Sequence, residues 1–258
     1  MNYNLIVVAA CIVFFIAMCF LPGLGRRIAR RTREGGPPAE DSSTPVITAA
    51  LYALLGLLTA FTFSGAFSRL EVRRQMLIEE TNAIGTAYLR LDLLPEEHRA
   101  PLRELFARYT ASRASLYPSL ADPPAALAEH GRSVAMQEEI WARALAGCRE
   151  SDTPAATQLL VPALNDMIDI TTTRLVAIRT HQPPIIFVTL VVLAFVCAAF
   201  TGYQSAAAGR MSRWSAFGLA AVLSFVFYVI FDAEYPRIGI IRLDAVNALL
   251  VELAESMR

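Results

Sequence analysis

Glu79, Glu80, Asp166 and Asp169 are the residues of this 258-residue chain whose types and spacing come closest to doing chemistry. Two acidic pairs on separate helices of a bundle can converge, which is how carboxylate-bridged di-metal centres are built. Such centres also need Glu-x-x-His pairs, and the sequence contains none. These carboxylates are therefore read as a solvated or ion-paired face, and no metal site is expected. His98, His130 and His181 are scattered, without a ligand-spaced partner. Gly-x-Ser-x-Gly and His-Glu-x-x-His are absent, and Gly23-Leu24-Gly25 lacks the third glycine and the strand of a dinucleotide loop. All 23 basic residues are arginine, so no lysine can form a Schiff base or a P-loop. Of the four cysteines, Cys11, Cys19 and Cys197 lie in apolar stretches and Cys148 stands apart, against a disulfide framework or a thiolate site. The sequence predicts neither an enzyme nor a cofactor. Acids balance bases at 23 each, which gives no reason to expect a nucleic-acid partner.

The elements around these residues are set by four apolar stretches, 5–21, 46–63, 185–203 and 214–231, none holding an Asp, Glu, Lys or Arg. Each approaches the roughly 20 residues needed to cross a hydrocarbon core, where the backbone must satisfy its own hydrogen bonds as a helix. The expected fold is an all-α membrane protein with four transmembrane helices and a helical-bundle insert between the second and third. The expected divisions are a first hairpin with a basic loop (1–64), the insert (65–183), a second hairpin (184–232) and a C-terminal tail (233–258). The first stretch has no basic residue before it and an arginine cluster after it, so it is read as a retained helix rather than a cleaved leader.

Residues 22–45 carry Arg26, Arg27, Arg30, Arg31 and Arg33 and then a Gly-Gly-Pro-Pro run, which reads as a basic flexible loop. The short connection 204–213 adds Arg210 and Arg213. Both connections fall on one side, and the positive-inside rule makes that side the cytoplasm, with the insert and both termini outside a bacterial inner membrane. Arg69, Arg73, Arg74, Arg174, Arg179, Arg237 and Arg242 lie near span ends on the opposite side and weigh against this orientation. The first basic loop usually dominates.

Within the insert, Leu70, Leu77, Ile84 and Leu91 recur every seven residues, predicting a helix that continues straight out of the second span. Pro95 and Asp122-Pro123-Pro124 announce two further helices, and a fourth begins near Pro154 and ends at His181-Gln182-Pro183-Pro184. On the second span Ala49, Ala53, Gly56, Ala60 and Ser64 form a small-residue face suited either to close helix packing between copies or to lining a pore. Thr48, Thr59, Thr62 and Ser68 add hydroxyls on or near that helix. Arg69, Arg73, Asp232, Glu234, Arg237 and Arg242 are candidate membrane-surface charges: a solvated boundary, or a charged vestibule in which arginines attract small anions.

Glu80 to Pro95, reading E-T-N-A-I-G-T-A-Y-L-R-L-D-L-L-P, resembles the signature of the bacterial bestrophin-like domain family. Two further stretches are similar to that family: Arg174 to Gln204, with its Pro-Pro entry and Gly202-Tyr203 exit, and Asp232 to Gly239, which is similar to the family's Asp-x-Pro-x-x-Gly but has Pro236 displaced by Ala-Glu-Tyr. The resemblance implies four spans with a helical insert. Through the family's name it further implies kinship with bestrophins, oligomeric anion channels embedded in the lipid bilayer. The rival reading is a non-conducting sensor or scaffold whose insert binds a partner.

Overall fold

The computed structural model describes residues 3–33, 43–119, 122–206, 213–236 and 239–258. Among them the secondary structure is all helix: α1 (Tyr3–Arg33), α2 (Ser43–Arg90), α3 (Glu96–Ser119), α4 (Pro123–Glu150), α5 (Val161–Arg179), α6 (Pro184–Ser205), α7 (Arg213–Glu234) and α8 (Asp244–Ser256). A 3-10 turn at Leu91–Leu93 leads into α3 and a π-helical turn at Ala156–Leu160 leads into α5. Each expected apolar stretch lies inside one long helix, in α1, α2, α6 and α7. Between 17% and 28% of each apolar window is buried, so most of that surface faces outward as it must against lipid. The protein is an all-α membrane-type protein.

The chain divides into two compact units, Met1–Ser68 with His181–Tyr235, and Arg69–Thr180 with Pro236–Arg258. In the first, a core of rings joins three helices. Phe14 of α1 packs on Phe195 of α6 (5.5 Å between centroids) and Phe227 of α7 (4.8 Å), and Phe187 stacks on Phe231 (4.5 Å). Helix α1 does not stop at the end of its apolar stretch. The expected flexible loop is helical from Pro22 to Arg33, because Phe14, Met18, Pro22, Gly25 and Ala29 form one continuous buried stripe at helical spacing. Arginine itself favours helix. The Gly-Gly-Pro-Pro run of that connection lies outside the described residues.

Two glycines permit the closest approach in this unit. A Cβ at Gly202 of α6 would lie 2.0 Å from the Pro22 carbonyl oxygen, and one at Gly25 of α1 would lie 2.0 Å from the Ala199 carbonyl oxygen. Helices α1 and α6 therefore cross backbone to backbone, the small-residue packing that lipid-embedded helices use. Polar contacts extend the crossing: Arg26 Nε donates to Ser205 Oγ (2.7 Å), and Gln204 Nε2 donates to Thr48 Oγ1 of α2.

The second unit is built on the seven-residue seam. Leu77, Ile84 and Leu91 are buried, with Leu102, Leu105, Phe106 and Tyr109 of α3, Ile140 and Ala144 of α4, and Leu160, Leu164 and Met167 of the last helix of the insert. Each fully buried Leu or Ile contributes about 1.5–3 kcal/mol. Helix α2 stays helical through Gly65 and Gly85, as the absence of a loop signal predicts. The C-terminal segment, for which the sequence suggested no particular element, forms α8 and places Leu243, Leu250 and Met257 in the same core. Tyr117 clasps its entry, donating to the Pro236 carbonyl (2.9 Å) and accepting the Leu243 N–H (2.8 Å). Asn247 Nδ2 donates to the Ala114 carbonyl (3.1 Å).

Candidate functional site

Helix α2 separates its small and hydroxylated residues onto two faces. Thr48, Leu55, Thr59, Thr62 and Ala66 are buried, at spacings of seven, four, three and four. Tyr52 shares a hydrogen bond with Thr201 of α6 (2.9 Å) and Thr62 donates to its own Leu58 carbonyl (2.8 Å), so these two hydroxyls are satisfied within the unit, while the Thr59 hydroxyl is buried without a hydrogen-bond partner. One position further round, about 100° away, Ala49, Ala53, Gly56, Ala60 and Ser64 are all exposed, and a Cβ at Gly56 would meet nothing within 4 Å. The small face is open, as are Leu54, Leu57 and Phe61 beside it. Among the described side chains of that part of the helix, Ser64 and Ser68 carry the exposed hydroxyls.

The charges named from the sequence occupy different surroundings. Arg73 is buried in the second unit, where its Nε donates to the Ala177 carbonyl (3.1 Å) and its Nη2 to the Thr180 carbonyl (2.8 Å). It thereby caps the C-terminus of α5, where carbonyls have no helical partner and a cation is favoured. Asp232 and Glu234 are buried in the first unit. Glu234 accepts the Gln182 N–H (2.9 Å) and pairs with His181 Nδ1 (3.4 Å), while the His181 ring stacks on Tyr235 (4.6 Å). Arg69 is half-buried, and Arg242 is exposed beside Asp244 (3.8 Å). Arg237 lies outside the described residues.

The four carboxylates considered for a di-metal centre do not converge. Asp166 and Asp169 are exposed and Glu79 is half-buried, taking a hydrogen bond from Gln75 (3.2 Å). Glu80 alone enters the core, with no exposed surface, and both its oxygens are taken by arginines: Arg113 Nε of α3 on Oε1 and Arg174 Nη1 of α5 on Oε2. Both arginines are also buried. The layer continues through α4, where Ser133 Oγ accepts Arg113 Nη1 (3.3 Å) and Gln137 Nε2 donates to Tyr109 OH (2.9 Å) and Thr171 Oγ1 (3.3 Å). Burial opposes ionisation of Glu80, but the Arg174 and Arg113 guanidiniums together outweigh it and hold the carboxyl below its ordinary value. Burial, with the Glu80 charge beside it, pushes the Tyr109 phenol up, so it stays neutral. Burial likewise pushes the Cys148 thiol up, away from the thiolate a soft metal would need.

Two arginines against one glutamate leave this buried layer with one excess positive charge. Its chemistry is structural: it ties all four helices of the insert at one level. The periodicity itself separates Glu80 from Glu79: Glu80 falls three residues after Leu77 and four before Ile84, on the buried seam, and Glu79 falls beside it. A second signal is the pairing of motifs, since Glu80 opens the first of the resembling stretches and Arg174 opens the second. Sequence spacing gives no sign of the Gly25 and Gly202 crossing, because Gly23 and Gly25 of α1 lie on different faces of the helix and α6 has Gly202 alone.

No curated protein and no solved structure matches the chain. The family model described as Bestrophin-like domain matches residues 12–247. That match runs from within α1 into α8 and takes in both units with the motif residues Glu80 and Arg174 that meet in the buried layer, and the chain therefore belongs to the Bestrophin-like domain family.

Proposed function

We propose that this protein is an oligomeric, channel-type membrane protein that passes small anions, with copies meeting along the small face of α2. The observation that carries the reading is the open stripe Ala49, Ala53, Gly56, Ala60 and Ser64, left uncovered while Thr48, Thr59 and Thr62 of the same helix are buried inside the chain. Small residues allow helices from separate copies to approach closely, and a ring of such helices places α2 around the symmetry axis. Family membership supports the same reading through the anion channels for which the family is named. In a bacterial inner membrane, the arginines of the α1 extension are assigned to the cytoplasmic side and the helical insert to the outside.

A non-conducting sensor or scaffold is the second reading, and the burial of Arg73, Asp232 and Glu234 favours it, because charges held inside a unit do not line a vestibule. Planar-bilayer recording of the purified oligomer separates the two. Chloride-selective current supports the channel reading. Silence from a protein whose oligomer structure has no axial opening overturns it in favour of the scaffold.

A further inference from the structure

The sequence places His98 without a ligand-spaced partner, and the fold supplies two. Helices α3 and α4 pack along one another, and the first turn of α3 carries Glu97 and His98 while the last turn of α4 carries Glu150. One ligand atom from each of Glu97, His98 and Glu150 lies within 4.8 Å of the other two. His98 Nε2 is 2.8 Å from Glu150 Oε2. The imidazole is held there by a close contact on α4: a Cβ at Gly147 would lie 3.0 Å from His98 Cβ and 3.1 Å from its Cγ, so the residue rests close against the helix surface at that glycine. Glu97 carries no ion pair among the described residues, although Glu96 and Glu150 beside it do. Two carboxylates and an imidazole nitrogen thus converge at the surface with one carboxylate uncompensated.

We propose that Glu97, His98 and Glu150 form a binding site for a divalent first-row transition cation of the zinc type, which clamps the start of α3 to the end of α4. The donor set selects the class. A mixed nitrogen and carboxylate set suits zinc and its neighbours, whereas magnesium and calcium take oxygen ligands alone. Tetrahedral zinc at its usual bond lengths needs ligand atoms about 3.4 Å apart. His98 and Glu150 are already closer than that, and the exposed side chain of Glu97 reaches the distance by a rotamer change. The remaining coordination position faces solvent and takes water.

The test uses the full chain in detergent, stripped with chelator and titrated with zinc chloride by calorimetry while thermal unfolding is followed in parallel. One equivalent is expected to bind saturably and raise the unfolding temperature, with magnesium and calcium in excess failing to compete. His98→Ala is expected to weaken binding about tenfold or more. Because His98→Ala also removes the His98–Glu150 contact, Glu97→Gln provides the second arm: it leaves that contact in place and removes only the third ligand, and the same loss of zinc affinity with unchanged stability of the stripped protein is expected. His130→Ala and His181→Ala serve as controls and retain the site. Absence of saturable binding overturns the proposal, as does one-equivalent binding that survives both His98→Ala and Glu97→Gln.

Discussion

Glu80 shows how far a single side chain can organise the insert. Its carboxylate is enclosed by Arg113 and Arg174, and the cost of burying these ions is repaid only while all three remain. Removing one partner from such a cluster costs about 3–5 kcal/mol, so Glu80→Gln, which keeps the shape and deletes the charge, is expected to lower the stability of the helical unit by that amount in chemical denaturation. The pH dependence follows from the direction of its shift. A carboxyl held below its ordinary value of 4.5 binds fewer protons in the folded than in the unfolded chain between the two values. Its stabilisation is therefore complete above about pH 4.5 and is lost as the pH falls through the folded value. Denaturation series from neutral to strongly acid pH should show this loss in the native protein and a smaller one in Glu80→Gln. Retention of the full acid sensitivity in the variant would assign it to another group.

At the scale of elements, the two kinds of small-residue packing in the first unit separate by experiment. Gly202 sits where α6 touches α1, and Gly202→Ala places a methyl group 2.0 Å from the Pro22 carbonyl oxygen, inside a contact made by two backbones. Overpacking of this kind costs about 1–3 kcal/mol or more, so the variant is expected to give less folded protein. Gly218 of α7 meets nothing within 4 Å, and Gly218→Ala is expected to be neutral or to stabilise by up to about 1 kcal/mol. Equal yields and unfolding temperatures for the two variants would refute the crossing. Gly56 is as open as Gly218 within the chain, so Gly56→Leu tests assembly instead of folding. Helix content by circular dichroism should be unchanged, while the oligomer is lost on native gels; a fully assembled Gly56→Leu protein rules out the α2 face as the contact.

For the whole molecule, the direction of insertion is the property with the largest consequence, because it decides which compartment the helical insert samples. Arg26, Arg27, Arg30 and Arg31 lie on a helical extension of α1, which presents them at fixed spacing close to the apolar stretch, where they count most in the positive-inside rule. A cysteine at Ser119, in a variant lacking the four native cysteines, is expected to react with an impermeant thiol reagent added to intact cells, and a cysteine at Ser42 is expected to be protected. Reversal of that pattern would put the insert in the cytoplasm, the side on which bestrophins keep their large domain.

Hydropathy and period determined the all-α class, the four spans, the unbroken α2 and the seam Leu77, Ile84 and Leu91, because lipid exposure and helical periodicity act on local stretches that a sequence displays directly. Tertiary structure alone decided what each polar or small residue meets. Thr48 and Thr62 turn inward while Gly56, on the same helix, turns outward, and a hydropathy pattern assigns no partner to either face. Pro22 and the arginine cluster read as loop in isolation, yet the buried stripe through Gly25 and Ala29 exists only because α6 lies against it, so packing overrode a local signal of chain termination. Glu80 and Arg174 are 94 positions apart, and His98 and Glu150 are 52 apart. Electrostatic pairing over such separations is a property of which helices are neighbours, which the folded chain fixes and linear spacing does not record.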